Sequence, residues 1–220
     1  MSTVRVSELF LSIQGEGPSA GRPAHFLRLQ GCDVGCHWCD TKYSWSAEGG
    51  RAMGVAEITA ELVRLGESPL LVVTGGEPLQ HAGIAALLYH MVQRWTRVEV
   101  ETSGVAAPPL AHPRLHYNVS PKLPSVTPRW EETWRHVPDF LAEPNATFKI
   151  VVGDAPDPDE ALRLIAAHAI PAARVMLMPE GLTDDAVRTH AEALAELCKR
   201  HGFALSPRLH IWMWGAKRGV

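Results

Sequence analysis

Much that would place a chain in a class at sight is scarce here. Only four of the 220 residues are cysteine, 7% are aromatic, and 24 acidic residues nearly balance 21 basic ones for a formal charge of −3. Without an excess of positive charge there is no field to hold phosphate backbones irrespective of sequence, so no nucleic-acid partner is expected. No window approaches the ~20 apolar residues that span a bilayer, and the opening residues Met1 to Phe10 lack a basic region followed by a long apolar run. The chain reads as cytoplasmic, with no membrane partner. In that reducing setting, three cysteines within eight positions point to metal or redox chemistry rather than structural disulfides. With 46% hydrophobic residues there is enough material for a full core, and one domain spanning 1–220 is expected.

What is present is a repeated pattern of short apolar runs, each stopped by a polar or glycine-rich turn. Val4 to Leu11 and Ala24 to Leu29 read as two strands joined across Gln14-Gly15-Glu16-Gly17-Pro18. Leu70 to Val73 stops at Thr74-Gly75-Gly76-Glu77-Pro78, Val98 to Val100 at Glu101-Thr102-Ser103-Gly104, Phe148 to Val152 at Gly153-Asp154, and Val175 to Leu177 at Pro179-Glu180-Gly181. Such runs fit strands buried on both faces. Helices are predicted near Ala56 to Arg64, Pro78 to Trp95, Asp159 to His168 and Thr183 to His201. An α/β architecture with a parallel, curved sheet follows, and its polar loops should converge at the carboxyl ends of the strands. Pro108 to Pro144, rich in proline, tryptophan and charge, is left unplaced. Leu209 to Gly215 reads as a final strand.

Cys32, Cys36 and Cys39 are spaced by four and then three positions, so a loop brings three sulfurs within reach of one metal centre, with Gly31 and Gly35 permitting tight turns. Iron-sulfur clusters usually take four thiolates, so three leave one iron open to another ligand. The alternative, a structural zinc site, wants four closed ligands, and His37 is poorly placed to be the fourth. Cys198, at an apolar helical spacing, reads as a core residue.

Cys-x3-Cys-x2-Cys followed by Asp40-Thr41, together with Gly75-Gly76-Glu77-Pro78, resembles the radical S-adenosylmethionine superfamily. Leu11 to Gly17, Gly21-Arg22-Pro23, Phe26 to Leu29, Thr74, Glu101 to Gly104, Ser120-Pro121-Lys122 and Met178 to Gly181, in that order, resemble the 7-carboxy-7-deazaguanine synthase family within it. The resemblance implies a partial (β/α) TIM-like barrel with reduced helix content. It implies a [4Fe-4S] cluster on Cys32, Cys36 and Cys39, S-adenosylmethionine and Mg2+ as cofactors, and a radical ring contraction of 6-carboxy-5,6,7,8-tetrahydropterin to 7-carboxy-7-deazaguanine with loss of ammonia, on the way to queuosine and related deazapurines. An external electron donor of flavodoxin or ferredoxin type and a homodimer are also implied, and Trp212 or Trp214 is a candidate for the dimer contact.

Carried over residue by residue, the resemblance assigns Trp38, Cys39, Asp40, Gly76, Ser103, Ser120, Pro121, Lys122, Met178, Pro179, Glu180 and Gly181 to S-adenosylmethionine. It assigns Ile13, Gln14, Gly15, Glu16, Arg28 and Thr74 to the pterin, and Thr41 to Mg2+. A guanidinium suits a planar carboxylate, and an amide with a carboxylate suits the mixed edge of a pterin. From the residues alone, Arg28 could equally be a surface strand residue, Gln14 and Glu16 a hairpin loop, Thr41 a turn cap, and the glycine pair an ordinary turn. No side chain is assigned an acid-base role, because the cofactor carries the hard chemistry. No tail residue is assigned to the pocket. A glycyl-radical-enzyme activase is the rival reading, sharing both motifs and the short length.

Overall fold

Apolar and polar residues alternating from Val4 build strand β1 (Val4–Ile13), which turns through the glycine-containing loop and pairs antiparallel with β2 (Pro23–Leu29). In the computed structural model, which describes residues 3–220, β3 (Arg51–Met53) flanks β1 antiparallel and leads into α1 (Val55–Arg64). Then β4 (Leu70–Gly75) lies parallel to β2, followed by α2 (Ile84–Arg94). Next come β5 (Arg97–Thr102), β6 (Leu115–Val119), α3 (Trp130–Trp134), α4 (Val137–Ala142) and β7 (Ala146–Val152). The chain ends with α5 (Asp157–Ala167), β8 (Val175–Pro179), α6 (Asp184–His201), β9 (Ala204–Leu205) and α7 (Leu209–Trp214). The sheet order is β3-β1-β2-β4-β5-β6-β7-β8-β9, with every pair from β2 to β9 parallel. It is an open, partial barrel of reduced helix content: among the described residues, β5 and β6 are joined without a helix.

The two faces of the sheet differ. Outward residues such as Leu27, Leu71, Val73, Val98, Val100, Tyr117, Phe148 and Ile150 form the main core under the helices. Inward, Phe10, Ala24, Phe26, Leu70 and Val72 make a small apolar plug, while Glu99, Asn118 and Lys149 stand beside it nearly without solvent contact. The expectation of strands buried on both faces holds for β5, but its inner face is charged rather than apolar. Its charged residues 97, 99 and 101 alternate with the core valines because they line the barrel's interior.

The helix predicted from Pro78 to Trp95 is two elements. Pro78–Gln80 is a 3-10 turn in which the Glu77 carboxylate accepts the Leu79 N–H at 3.0 Å, and His81 is extended before α2 begins at Ile84. The helix predicted from Thr183 is observed with Thr183 as its cap, its hydroxyl accepting the Ala186 N–H, and left-handed Gly202 ending it. The predicted final strand is instead α7, with Ile211 buried and Trp212 70% exposed. The unplaced stretch from Pro108 props the site: Thr133 Oγ1 accepts the Lys122 N–H at 2.8 Å, and Trp134 Nε1 donates to the Lys122 carbonyl at 2.7 Å. Among the described residues no helix is long and apolar enough to cross a membrane.

Phe148 is fully buried between β7 and the helices. Phe148→Ala is expected to lower unfolding free energy by about 3–5 kcal/mol, read as a shifted urea midpoint with little change in slope.

Candidate active site

The chain leaving β2 carries the three cysteines in a loop closed on itself, with Gly31 N–H on the Ser44 carbonyl at 2.7 Å and Cys32 N–H on the Trp45 carbonyl at 3.1 Å. All three thiols line one cavity of about 300 Å³ at the carboxyl ends of the parallel strands. Burial pushes the Cys32 thiol up to about 11 and raises Cys36 as well, so a metal binding here displaces protons. Cys39 Sγ accepts the Thr41 N–H at 3.4 Å and the Trp45 indole N–H at 3.3 Å, the kind of support a ligating sulfur receives. Among the described residues no three His, Cys, Asp or Glu side chains are drawn about one point as a single ion needs. Cys198 is elsewhere, on α6, its thiol directed at the Ala204 carbonyl. Three thiols facing one cavity are the donor set of a cluster held by three sulfurs. A second observation agrees: the Trp38 indole N–H, in the cavity wall, is buried without a hydrogen-bond partner.

Three strand ends are locked together beneath this loop. Gly76 N–H donates to the Leu29 carbonyl at 2.9 Å and Glu77 N–H to the Gly31 carbonyl at 2.8 Å. A Cβ on Gly76 would stand 2.0 Å from the Gly31 oxygen, and one on Gly75, where φ is +143°, 2.3 Å from the Leu29 oxygen. The glycine pair is thus required first by the neighbouring chain, and only through it by a ligand. Glu77, 1% exposed, accepts from Leu79 N, Thr102 Oγ1, Ser103 N and Ser103 Oγ, the last three at 2.6 to 2.7 Å.

The opposite half of the cavity is charged. Lys149 Nζ donates to Glu16 at 2.6 Å and Glu101 at 2.8 Å. Gln14 Nε2 and Asn118 Nδ2 both donate to Glu101 Oε1, at 3.3 and 2.9 Å. Burial opposes charge on Glu16, but Lys149, Arg208 and His210 outweigh it and hold the carboxyl far below its ordinary range. Lys149, buried against two carboxylates, stays protonated well above its ordinary range, whereas burial and the Glu16 charge push Glu101 up. Arg28 Nε donates to Glu8 at 2.9 Å, and Glu8 also accepts from Tyr43 at 2.8 Å and Arg218 at 2.8 Å.

Cys32, Cys36, Cys39, Trp38, Asp40, Thr41, Gly76, Ser103, Ser120, Lys122, Met178, Ile13, Gln14, Gly15, Glu16, Arg28 and Thr74 all line the cavity. Pro121, Pro179, Glu180 and Gly181 stand outside that lining; the Glu180 carbonyl is taken by His190 and the Gly181 carbonyl by Arg208. Thr41 precedes a 3-10 turn without capping it, its hydroxyl donating instead to Asp40 at 2.6 Å. Sequence reasoning quoted Glu77 and Glu101 within motifs but gave them no role, and it missed Lys149, Arg208 and His210. It also left the tail unassigned, whereas Gly215 to Val220 line the cavity, with the Arg218 guanidinium 3.5 Å from the Tyr43 ring centre.

The model of the Radical SAM superfamily matches residues 27–115. The chain is 43% identical to the 7-carboxy-7-deazaguanine synthase of Pyrobaculum aerophilum, the match covering 98% of this chain and 97% of that protein. It is 36% identical to the enzyme of the same name from Hyperthermus butylicus, over 96% and 92%. Among solved structures it is similar to QueE from Escherichia coli, with a TM-score of 0.68 and 28% identity over 93% of each chain.

With its folded pKa depressed, Glu16 contributes stability that is complete above its ordinary value of 4.5 and lost as pH falls through the folded value. Glu16→Gln should therefore cost about 1–3 kcal/mol near neutrality, and the cost should vanish in acid. Thermal midpoints of the cluster-free protein across pH check this.

Proposed function

This chain belongs to the 7-carboxy-7-deazaguanine synthase family of radical S-adenosylmethionine enzymes, and on that premise we propose that it converts 6-carboxy-5,6,7,8-tetrahydropterin to 7-carboxy-7-deazaguanine and ammonia. The product serves queuosine-type deazapurine synthesis. One observation carries the reading: three thiols, the cofactor half and the pterin half assigned by family resemblance face a single cavity.

In this reading Cys32, Cys36 and Cys39 hold the [4Fe-4S] cluster, and Trp38, Cys39, Asp40, Gly76, Ser103, Ser120, Lys122 and Met178 surround S-adenosylmethionine. Pro121, Pro179, Glu180 and Gly181 complete the S-adenosylmethionine set of this reading from outside the cavity lining. When bound, this cofactor pair supplies the one-electron chemistry that removes a hydrogen atom from the pterin. The protein's own work is placement. Arg28 has only its Nε engaged among the described residues, so its terminal N–H groups are available to a substrate carboxylate. Gln14 and Glu16, with Ile13 and Gly15, meet the pterin edge, and Thr74 stands opposite Arg28 on the neighbouring strand. Lys149 keeps Glu16 ionised as an acceptor, and Phe10, Phe26, Val72 and Val151 give the cavity a dry wall.

Thr41 is the magnesium position in this reading. Its hydroxyl proton is committed to Asp40, so its oxygen lone pairs would be free to hold a hard cation, which would help orient the substrate. The electron donor is of flavodoxin or ferredoxin type, the chain acts as one domain in the cytoplasm, and exposed Trp212 and Trp214 offer a homodimer contact.

Anaerobic incubation of reconstituted protein with reductant, Mg2+, S-adenosylmethionine and 6-carboxytetrahydropterin should yield 7-carboxy-7-deazaguanine by mass spectrometry. Cys36→Ala should lose both product and bound cluster iron. Adenosyl cleavage without product would sink the pterin reading in favour of an activase. Replacing Mg2+ by Na+ should slow turnover with iron content unchanged; equal turnover removes magnesium from the account.

A further inference from the structure

Arg208 lies at the start of α7, 7% exposed, and its fork reaches three loops that are far apart in the chain. One terminal nitrogen donates to Asp40 Oδ2 at 2.6 Å in the cluster loop, and the other to the Gly181 carbonyl at 2.5 Å after β8. Its Nε faces Glu16 Oε1 at 3.5 Å in the β1-β2 loop, yet is buried without a hydrogen-bond partner. The segment that carries it is fastened on both sides. Ser206 N–H donates to the Leu177 carbonyl at 2.8 Å, Ser206 Oγ accepts the Gly17 N–H at 2.9 Å, and Leu209 N–H donates to the Gly15 carbonyl at 3.0 Å. The segment is anchored largely by backbone bonds and the guanidinium by Asp40 and the Gly181 carbonyl, while its Nε remains open toward Glu16.

We propose that Arg208 is a positioning residue that couples the two halves of the cavity, so that S-adenosylmethionine and the pterin each tighten the binding of the other. The proposal rests on the functional reading above, which gives Asp40 to the cofactor and Glu16 to the pterin. Its physics is that of a shared anchor. A buried donor left unpaired is costly, so a small movement of Glu16 that closes the Nε contact is favourable and makes the fork more rigid. A rigid fork fixes Asp40, and through the 2.6 Å contact from Thr41 to Asp40 it fixes the Thr41 hydroxyl as well. The coupling must be equal in both directions, because it is one free energy read from two sites. Arginine suits the role because a planar guanidinium satisfies three acceptors in fixed directions, which a lysine ammonium on a flexible stem does not.

The test is anaerobic calorimetric titration of S-adenosylmethionine into reconstituted protein, with and without saturating 6-carboxypterin, whose fully oxidised ring has no saturated C–H bond to react. In the wild type the Kd for S-adenosylmethionine should fall about five-fold or more when the pterin is present. In Arg208→Gln that ratio should drop to about one while cluster iron and its visible absorption are unchanged, and Arg208→Lys should recover only part of it. Asp40→Asn cuts the more exposed arm and should lower the ratio in the same direction, which keeps the test open if Arg208→Gln does not fold. A ratio equal to the wild type's in both Arg208→Gln and Asp40→Asn, or a ratio of one in the wild type, overturns the coupling role alone. Wild-type protein that binds S-adenosylmethionine but takes up no 6-carboxypterin overturns the pterin reading and this proposal with it.

Discussion

Glu77 is the junction on which the site depends. Its N–H is bonded to Gly31 beside the first cysteine, its peptide follows the glycine pair closing β4, and its carboxylate takes both the backbone and the hydroxyl of Ser103 after β5. Three strand ends are thereby tied to one buried residue, β2 through its backbone and β5 through its carboxylate. A carboxylate this deep is tolerable only because four donors surround it, and the same four donors prevent the loops from moving independently. The cysteine loop gains its shape from what lies beneath it as much as from its own glycines.

How much of this was legible in the sequence depends on chain distance. Strands β1, β2, β4, β5, β7 and β8 announced themselves as short apolar runs stopped by turns, and the three cysteines with the glycine pair were local enough to be recognised. Strand β6, Leu-His-Tyr-Asn-Val, did not, because alternating polar residues in a proline-rich surround look like a loop until Asn118 is seen facing the barrel interior. Lys149 carried a usable signal: a lone charge in Phe148 to Val152 is costly to bury unless paired, so it announces a partner without naming it. Arg97, Glu99 and Glu101, alternating with two valines, carried the same signal for a polar interior. Arg208 and His210 carried none, since their partners lie over 160 residues away at Asp40 and over 190 at Glu16.

The tail shows why patterning misleads at an element's margin. Leu-His-Ile-Trp-Met-Trp is apolar enough for a strand, yet it follows Pro207, and its first N–H is taken by the Gly15 carbonyl, which starts a helical turn. Only Ile211 is buried from that helix, so burial did not require strand alternation. Beyond it, Arg218 stacks on Tyr43 and shares Glu8 with Arg28, bringing a second guanidinium close to the one expected to meet substrate.

The lysine shared by Glu16 and Glu101 has an evolutionary corollary. The lysine is tolerable in the interior because both carboxylates face it, and each carboxylate leans on the lysine in turn, so their substitution effects are strongly non-additive. Drift at any one position alone is therefore penalised, and divergence among relatives should reach these sites as linked exchanges that keep the interior charge sum, a correlated signature that solvent-facing ion pairs such as Arg188 with Asp185 have no reason to leave.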